Sequence, residues 1–326
     1  MKSIDLHCDT ISSLFKSPKE DSLNKNSFQV DVEGLKQIQA KAQFFALFVD
    51  LKEQVAKEVN PTEYCLEMLD YFHCKVKESP DLKLAKSFKD LKNNQEAGKI
   101  SAFLTIEEGG VLQGEVYNLR NFYRLGVRAI TLCWNYPNGI GYPNTANNYS
   151  KRGLTPFGED LIQRMNELGM LVDVSHLSDQ GVLEALNLSS DPIIASHSNC
   201  RRIKNHLRNL SDDLIKKIAD SGGIIGVNFA PRFLGASSLA KIEDIVRHVN
   251  HLKEVGGLEV IALGSDFDGF KGSSEIKEVG KLDELFAALK REQFSDDELE
   301  KISYGNVERI IKEVLGGELN EKQLSN

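Results

Sequence analysis

The sequence predicts a (β/α)8 barrel of the TIM type, an α/β fold with parallel strands, organised as one domain over residues 1–326. Three observations carry this expectation. Eight short apolar runs recur along the chain. Most of them alternate with longer stretches of helical periodicity, the pattern of a parallel sheet covered by helices. The 326 residues somewhat exceed the roughly 250 typical of such barrels. A doubly wound open sheet is the structural alternative. No Pro/Ser-rich linker or low-complexity segment divides the chain.

The apolar runs occupy residues 3–8, 42–49, 100–106, 127–133, 170–174, 192–195, 223–229 and 259–264. Rich in Val, Ile, Leu, Phe or Ala, they suit strands buried on both faces. Between them, residues 118–125 (NLRNFYRL) and 156–168 (PFGEDLIQRMNEL) repeat apolar side chains at three-to-four spacing. Residues 177–186, 242–255 and 282–289 behave alike. Gly126, Gly169 and Gly256–Gly257 follow three of these stretches as helix stops.

Composition narrows the function. The chain is 41% hydrophobic and 27% charged, with a formal net charge of -8. Its acidity argues against a nucleic-acid partner, which needs clustered Lys and Arg. The five Cys are odd in number and lack the spacing of a zinc knuckle, so reduced thiols are expected. The start, MKSIDLHCDT, carries no apolar signal segment, and no run approaches the ~20 apolar residues of a membrane span. The polar end, GGELNEKQLSN, has no lipid-anchor pattern. The expectation is a cytoplasmic protein with no membrane partner. A homodimer is the default assembly for a soluble enzyme.

Metal-type ligands gather where the expected strands end. The first strand ends in His7 and Asp9, the third in Glu107-Glu108-Gly109-Gly110, the fifth in His176 and the sixth in His197. The eighth ends in Ser265-Asp266-Phe267-Asp268-Gly269. Barrel enzymes build their active sites at this face. His7 and Asp9 are two apart, so on a strand they share a face and can converge on one divalent ion such as zinc. Alone, an HxD pair is more often a solvated strand end, and a lone His a structural one. Two further His on consecutive strands reverse that balance. Glu107 or Glu108 could bridge two ions, and Asp266 or Asp268 could shuttle a proton beside a metal-bound water.

The remaining His residues, His73, His206, His248 and His251, read as structural or surface groups. The basic loop with Arg201, Arg202, Lys204 and Arg208 follows His197 and could bind a substrate carboxylate.

DLHCDT, EEGG, VDVSH, ASHSN followed by RNL, and ALGSDFDG, taken in order over residues 1 to about 315, resemble the membrane (renal-type) dipeptidases. These belong to the amidohydrolase-like metal barrels. The resemblance implies two zinc ions, one on His7, Asp9 and a bridging Glu, the other on His176, His197 and the same Glu. Counting back from Leu119-Arg120 selects Glu107 as the bridge, with Glu108 as its rival. Asp266 is similar to the family's acid/base, and Arg208 to the Arg that grips the C-terminal carboxylate of the substrate.

The implied reaction is hydrolysis of a dipeptide amide by a metal-bridging hydroxide, with a C-terminal D-residue tolerated. Many members carry a His after the fourth strand; here Trp134 stands at that place, and the neighbouring Asn135 could donate a hydrogen bond to the substrate instead. The alternatives are another metal-barrel hydrolase, such as a deaminase or lactonase, and a non-catalytic binder of metal or small molecules.

Overall fold

Eight parallel strands close on themselves into a ring: β1 (Ile4–Cys8), β2 (Ala42–Phe48), β3 (Ile100–Glu107), β4 (Val127–Thr131), β5 (Leu171–Asp173), β6 (Ile194–Ala195), β7 (Ile224–Val227) and β8 (Ile261–Leu263). Each pairs with its sequence neighbours, and β1 pairs with β8 through Asp5 and Leu263 to close the barrel. This is the (β/α)8 architecture expected above. The computed structural model describes residues 1–17, 21–236 and 238–317. The polar terminal stretch from residue 318, read above for anchor signals, lies outside the described residues.

Outside the ring, Leu239–Ala240 and Ser273–Ser274 form a separate two-stranded pair, and one further strand extends the main sheet. Leu82–Leu84 pairs with the start of β3, where β4 has not yet begun: β4 meets β3 only from Leu104 onward. Three residues, LKL, are too short to leave a periodic signal. The barrel strands are also mostly shorter than the apolar runs. The run at 192–195 yields only Ile194–Ala195, because the chain bends at once into the loop that bears His197.

The helices start where hydroxyls and amides can cap them. Thr155 caps Pro156–Glu167 through the Gly158 N–H, Ser178 caps Asp179–Leu188, and Ser211 caps Asp212–Asp220. Each satisfies a backbone donor that the first turn leaves unpaired. Gly126, Gly169 and Gly257 end the preceding helices or their turns at positive φ, where glycine has no Cβ penalty. Among the described residues, no helix is long and apolar enough to cross a membrane.

Two apolar layers hold the barrel. The larger lies between strands and helices. The smaller is filled from all eight strands, by Ile4, Leu6, Phe44, Phe103, Ala129, Leu171, Ile194, Ile224 and Ala262 among others, together with Val307, Ile310, Ile311 and Val314 of the last helix, Asn306–Leu315. Phe44 and Phe103 stack here with ring centroids 4.7 Å apart. These strand residues come early in most strands, so the last helix forms the floor at the N-terminal end. The opposite end stays open for polar side chains.

Two glycines shape that open end. A Cβ on Gly226 or on Gly264 would overlap the Ser196 carbonyl oxygen and press on the Cα of the other glycine. Only glycine lets the chain preceding His197 come so far inward.

Candidate metal centre

His7, Asp9, Glu107, His176, His197 and Asp266 all reach one buried region at the C-terminal end of the strands. Glu107 lies at its middle. Its Oε2 is 3.5 Å from His7 Nε2, and its Oε1 is 3.0 Å from His176 Nε2 and 3.4 Å from His197 Nε2. His7 Nε2 also lies 3.3 Å from Asp9 Oδ2 and 3.9 Å from Asp266 Oδ1. One carboxylate thus divides its two oxygens between two sets of histidines.

Glu108 points elsewhere. Its carboxylate accepts the Gly110 and Trp134 backbone N–H groups and the Asn138 side-chain amide, tying the loop after β3 to the loop after β4. Burial pushes its carboxyl up to about 7. Of the two rivals, Glu107 is the one among the histidines.

The ring nitrogens reveal what the centre suits. His176 Nδ1 lies 3.2 Å from Asn135 Oδ1, an acceptor, so Nδ1 carries the proton. Ser196 Oγ donates to Asp173 Oδ2 at 2.6 Å and so accepts from His197 Nδ1 at 2.8 Å. Both Nε2 atoms therefore present lone pairs, and they face each other across 2.9 Å. Glu107 Oε1 is a third electron-rich atom facing the same space. Burial lowers the pKa of His176 to about 4 and that of His197 well below the ordinary imidazole range, so protons do not relieve the repulsion. Asp9 Oδ1 is buried without a hydrogen-bond partner. Neutral imidazoles, carboxylates and buried orphan oxygens are the donor set of a divalent cation, and this fit covers both sets of ligands.

Two buried aspartates position the ligands. Asp173 accepts the Ser175 N–H at 3.0 Å and the Ser196 N–H at 2.9 Å, plus the Thr131 and Ser196 hydroxyls, both at 2.6 Å. Asp5 accepts the His7 N–H at 3.2 Å, the Ser265 N–H at 3.0 Å and the Ser265 hydroxyl. Each fastens the residue just before one in the left-handed region: His176 at φ 70° and Asp266 at φ 62°. Such backbone costs of order 1–3 kcal/mol per residue and persists only when its surroundings hold it. Burial acts to raise the Asp173 carboxyl, but these hydrogen bonds hold it below the ordinary range. For Asp5, burial wins and the carboxyl is raised.

Asp266 is buried beside the histidines, with Asn228 donating to its Oδ2 at 2.8 Å. Burial, reinforced by Asp9 and Glu107, pushes its carboxyl up to about 8. Asp268 is held apart from the histidines by Thr10 and by the Gln29 backbone N–H. Arg208 is 4% exposed; Nη2 donates to the His197 carbonyl at 3.2 Å, while Nε and Nη1 have no partner. Arg201 pairs with Asp179 through both guanidinium nitrogens, at 2.6 and 2.7 Å, and is thereby removed from ligand binding.

Asp9, Glu107, His176, His197, Arg208 and Asp266 open into a cavity of about 1050 Å³, whose walls include Phe48, Trp134, Asn135 and Tyr136. His206, read above as structural or surface, also lines it, because its loop folds back over the barrel mouth. His73, His248 and His251 lie elsewhere and bond to the Leu125 carbonyl, the Cys200 N–H and Asp212 respectively. Sequence reading missed Asp5, Asp173 and Asn228. The first two left a trace: each precedes a ligand His by two or three residues inside an apolar run.

Comparison with known proteins adds a family context. A profile of the membrane dipeptidase family (peptidase family M19) matches residues 1–324. An uncharacterized dipeptidase of Schizosaccharomyces pombe is 32% identical over 312 residues, covering 90% of this chain and 74% of the relative. Dipeptidase 3 of Rattus norvegicus is 29% identical over 324 residues, covering 96% of this chain; the chain spans 64% of that relative's length. Among solved structures, a metallopeptidase from Rhodobacter sphaeroides, liganded with a phosphinate mimic of L-Ala-D-Ala, superposes with a TM-score of 0.88 at 23% identity. The match covers 96% of this chain and 99% of that one, a likeness of fold.

Proposed function

The chain belongs to the membrane dipeptidase family, and from that premise we propose that it hydrolyses dipeptides at a centre of two divalent ions, zinc by preference. The observation that carries this reading is the division of Glu107 between His7 and the His176–His197 pair. His7, Asp9 and Glu107 Oε2 would hold one ion. His176, His197 and Glu107 Oε1 would hold the other. Bound there, the ions would supply Lewis acidity toward the amide carbonyl and lower the pKa of the attacking water toward neutrality.

The remaining roles fall to the chain itself. Asp266 sits within reach of the centre, held at Oδ2 by Asn228, where its carboxylate can take a proton and pass it to the departing amine. Arg208 offers buried, unpartnered N–H groups to the C-terminal carboxylate of the substrate, the charge-assisted contact a guanidinium favours. That grip limits substrates to those ending one residue past the cleaved bond. Asn135, with Oδ1 toward His176, would turn its amide N–H toward the scissile carbonyl where many relatives use His. A C-terminal D-residue is accepted.

The test is amino-acid release from L-Ala-D-Ala and L-Ala-L-Ala with and without added zinc, and after chelation. Zinc-dependent release is expected. A metal-loaded protein that releases nothing from either peptide would transfer the reading to another amide or a lactone.

A further inference from the structure

Beside Arg208 the cavity wall carries a second cationic feature that the proposed reaction leaves unused. The Arg208 backbone N–H donates to His206 Nδ1 at 3.1 Å. The neutral ring must then carry its proton on Nε2. Arg232 Nη2 lies 3.5 Å from that same Nε2. Both atoms are donors, so they do not satisfy each other; on the exposed Arg232 and the half-buried His206 they are left for an external acceptor. The Arg208 and Arg232 guanidiniums also pack on one ring, Phe233, at 5.3 and 5.0 Å from its centroid.

The field around this pair is uncompensated. Among the described residues, Arg232 has no ion-pair partner, and neither do Lys16, Lys52 and Lys271 on the same cavity wall. Burial and the cations Arg232, Arg208, Lys204 and Arg201 lower His206 to about 4, which keeps its ring neutral and its Nε2 a donor. Of the carboxylates on the same wall, Asp9, Glu107 and Asp266 are engaged at the metal centre, and Asp268 by the Thr10 hydroxyl and the Gln29 N–H. A protein of net charge -8 thus presents a cationic mouth, and such a mouth attracts anions.

We propose that Arg232 and His206 form a subsite for a second substrate carboxylate, so that the preferred substrates are dipeptides with a C-terminal Asp or Glu. The proposal rests on the dipeptidase reading of the same cavity. The C-terminal residue is the one concerned because Arg208, which takes its α-carboxylate, is hydrogen-bonded to His206 and shares Phe233 with Arg232. An acidic side chain places its second carboxylate only one or two methylenes from the same α-carbon.

The test compares kcat/KM for Ala-Glu with that for its uncharged isostere Ala-Gln, each with an L- or D-residue at the C-terminus, in the parent and in R232Q. In parallel, binding of free glutamate and of glutamine to the zinc-loaded protein is read from the fluorescence of Trp134, the single tryptophan, which lines the cavity. A hydrogen bond to a charged group corresponds to roughly 10- to 100-fold, so the parent prefers the acidic ligand by at least about tenfold and R232Q loses most of that preference. R232K restores part of it. Equal handling of Glu and Gln by the parent, or an unchanged ratio in R232Q, overturns the subsite while leaving the dipeptidase reading intact. Glutamate preference that depends on Arg232 in a protein cleaving neither peptide keeps the subsite and removes the dipeptidase reading.

Discussion

The Nε2 atoms of His176 and His197 lie 2.9 Å apart with both lone pairs turned inward. Their outer nitrogens are fixed by Asn135 and Ser196, so neither ring can supply a proton between them. The folded chain without a cation therefore carries a repulsion that ion binding removes. Chelation is expected to lower the melting temperature by about 6 °C per tightly held ion, given that ligand at a thousandfold excess over Kd contributes about 4 kcal/mol. Differential scanning calorimetry with chelator, then with zinc restored, reads this directly. An unchanged melting temperature would contradict a tightly held ion.

Asp266→Asn should lower kcat by about 10² to 10⁴-fold, the usual contribution of a positioned acid/base group. The substituted amide can still meet Asn228, and the five ligand side chains are untouched. Elemental analysis should find metal content near that of the parent. A proportional loss of metal would assign Asp266 to the coordination sphere.

Asp173→Asn tests positioning without touching a ligand. It converts a carboxylate that accepts four hydrogen bonds into an amide that cannot accept them all, and it frees the hydroxyl that fixes the His197 tautomer. Outer partners of this kind are worth about 10- to 100-fold in metal affinity. Titration against a competing chelator should register a loss of that size. A variant that loses stability but keeps full metal affinity would make Asp173 a structural brace alone.

His248 gives a pH dependence remote from the metal. It is buried, its Nδ1 accepts the Cys200 N–H at 3.1 Å, and Nε2 faces the Leu234 carbonyl. Burial, helped by Arg247 and His251 and opposed by the Leu234 carbonyl and Asp244, lowers it to about 4. A folded pKa below the unfolded value means that the unfolded chain takes up the proton first as pH falls. The stabilisation is thus complete above roughly pH 6.5 and is lost toward pH 4, amounting to about 3 kcal/mol. Urea unfolding at pH 7.5 and 5 should show a smaller drop in midpoint for H248Q than for the parent. Equal drops would place the acid sensitivity elsewhere.

Much of this architecture is legible in the sequence because two periods announce it. The period of two points to His7 and Asp9 as a pair, although Asp9 lies just past β1 as the N-cap of the next helix and reaches His7 from there, and the apolar runs mark all eight strands. The choice between Glu107 and Glu108 is different: adjacent residues on a strand end face opposite ways, and only the packing of the next loop on Glu108 decides which one turns inward. Asp5 and Asp173 stay hidden because a carboxylate inside an apolar run looks like a break in the run. What satisfies each lies up to 260 residues away, as with Asp5 and Ser265. His206 and Arg232 meet across a loop and a strand, a juxtaposition that no local spacing encodes. The Leu82–Leu84 strand is too short to have a period at all.

The helix that floors the barrel imposes a schedule on synthesis. Phe44 and Phe103 find their apolar partners Val307 and Ile310 only after about 200 further residues have been made. At 5–20 residues per second that is roughly 10 to 40 s during which a ribosome-bound chain exposes stacked aromatic surface and unpaired strand edges. The first and last strands must also meet before His7 and Asp266 can approach. The nascent chain therefore keeps apolar surface uncovered through most of this span, and the ligands from the first and last strands come together only after the eighth strand has been made.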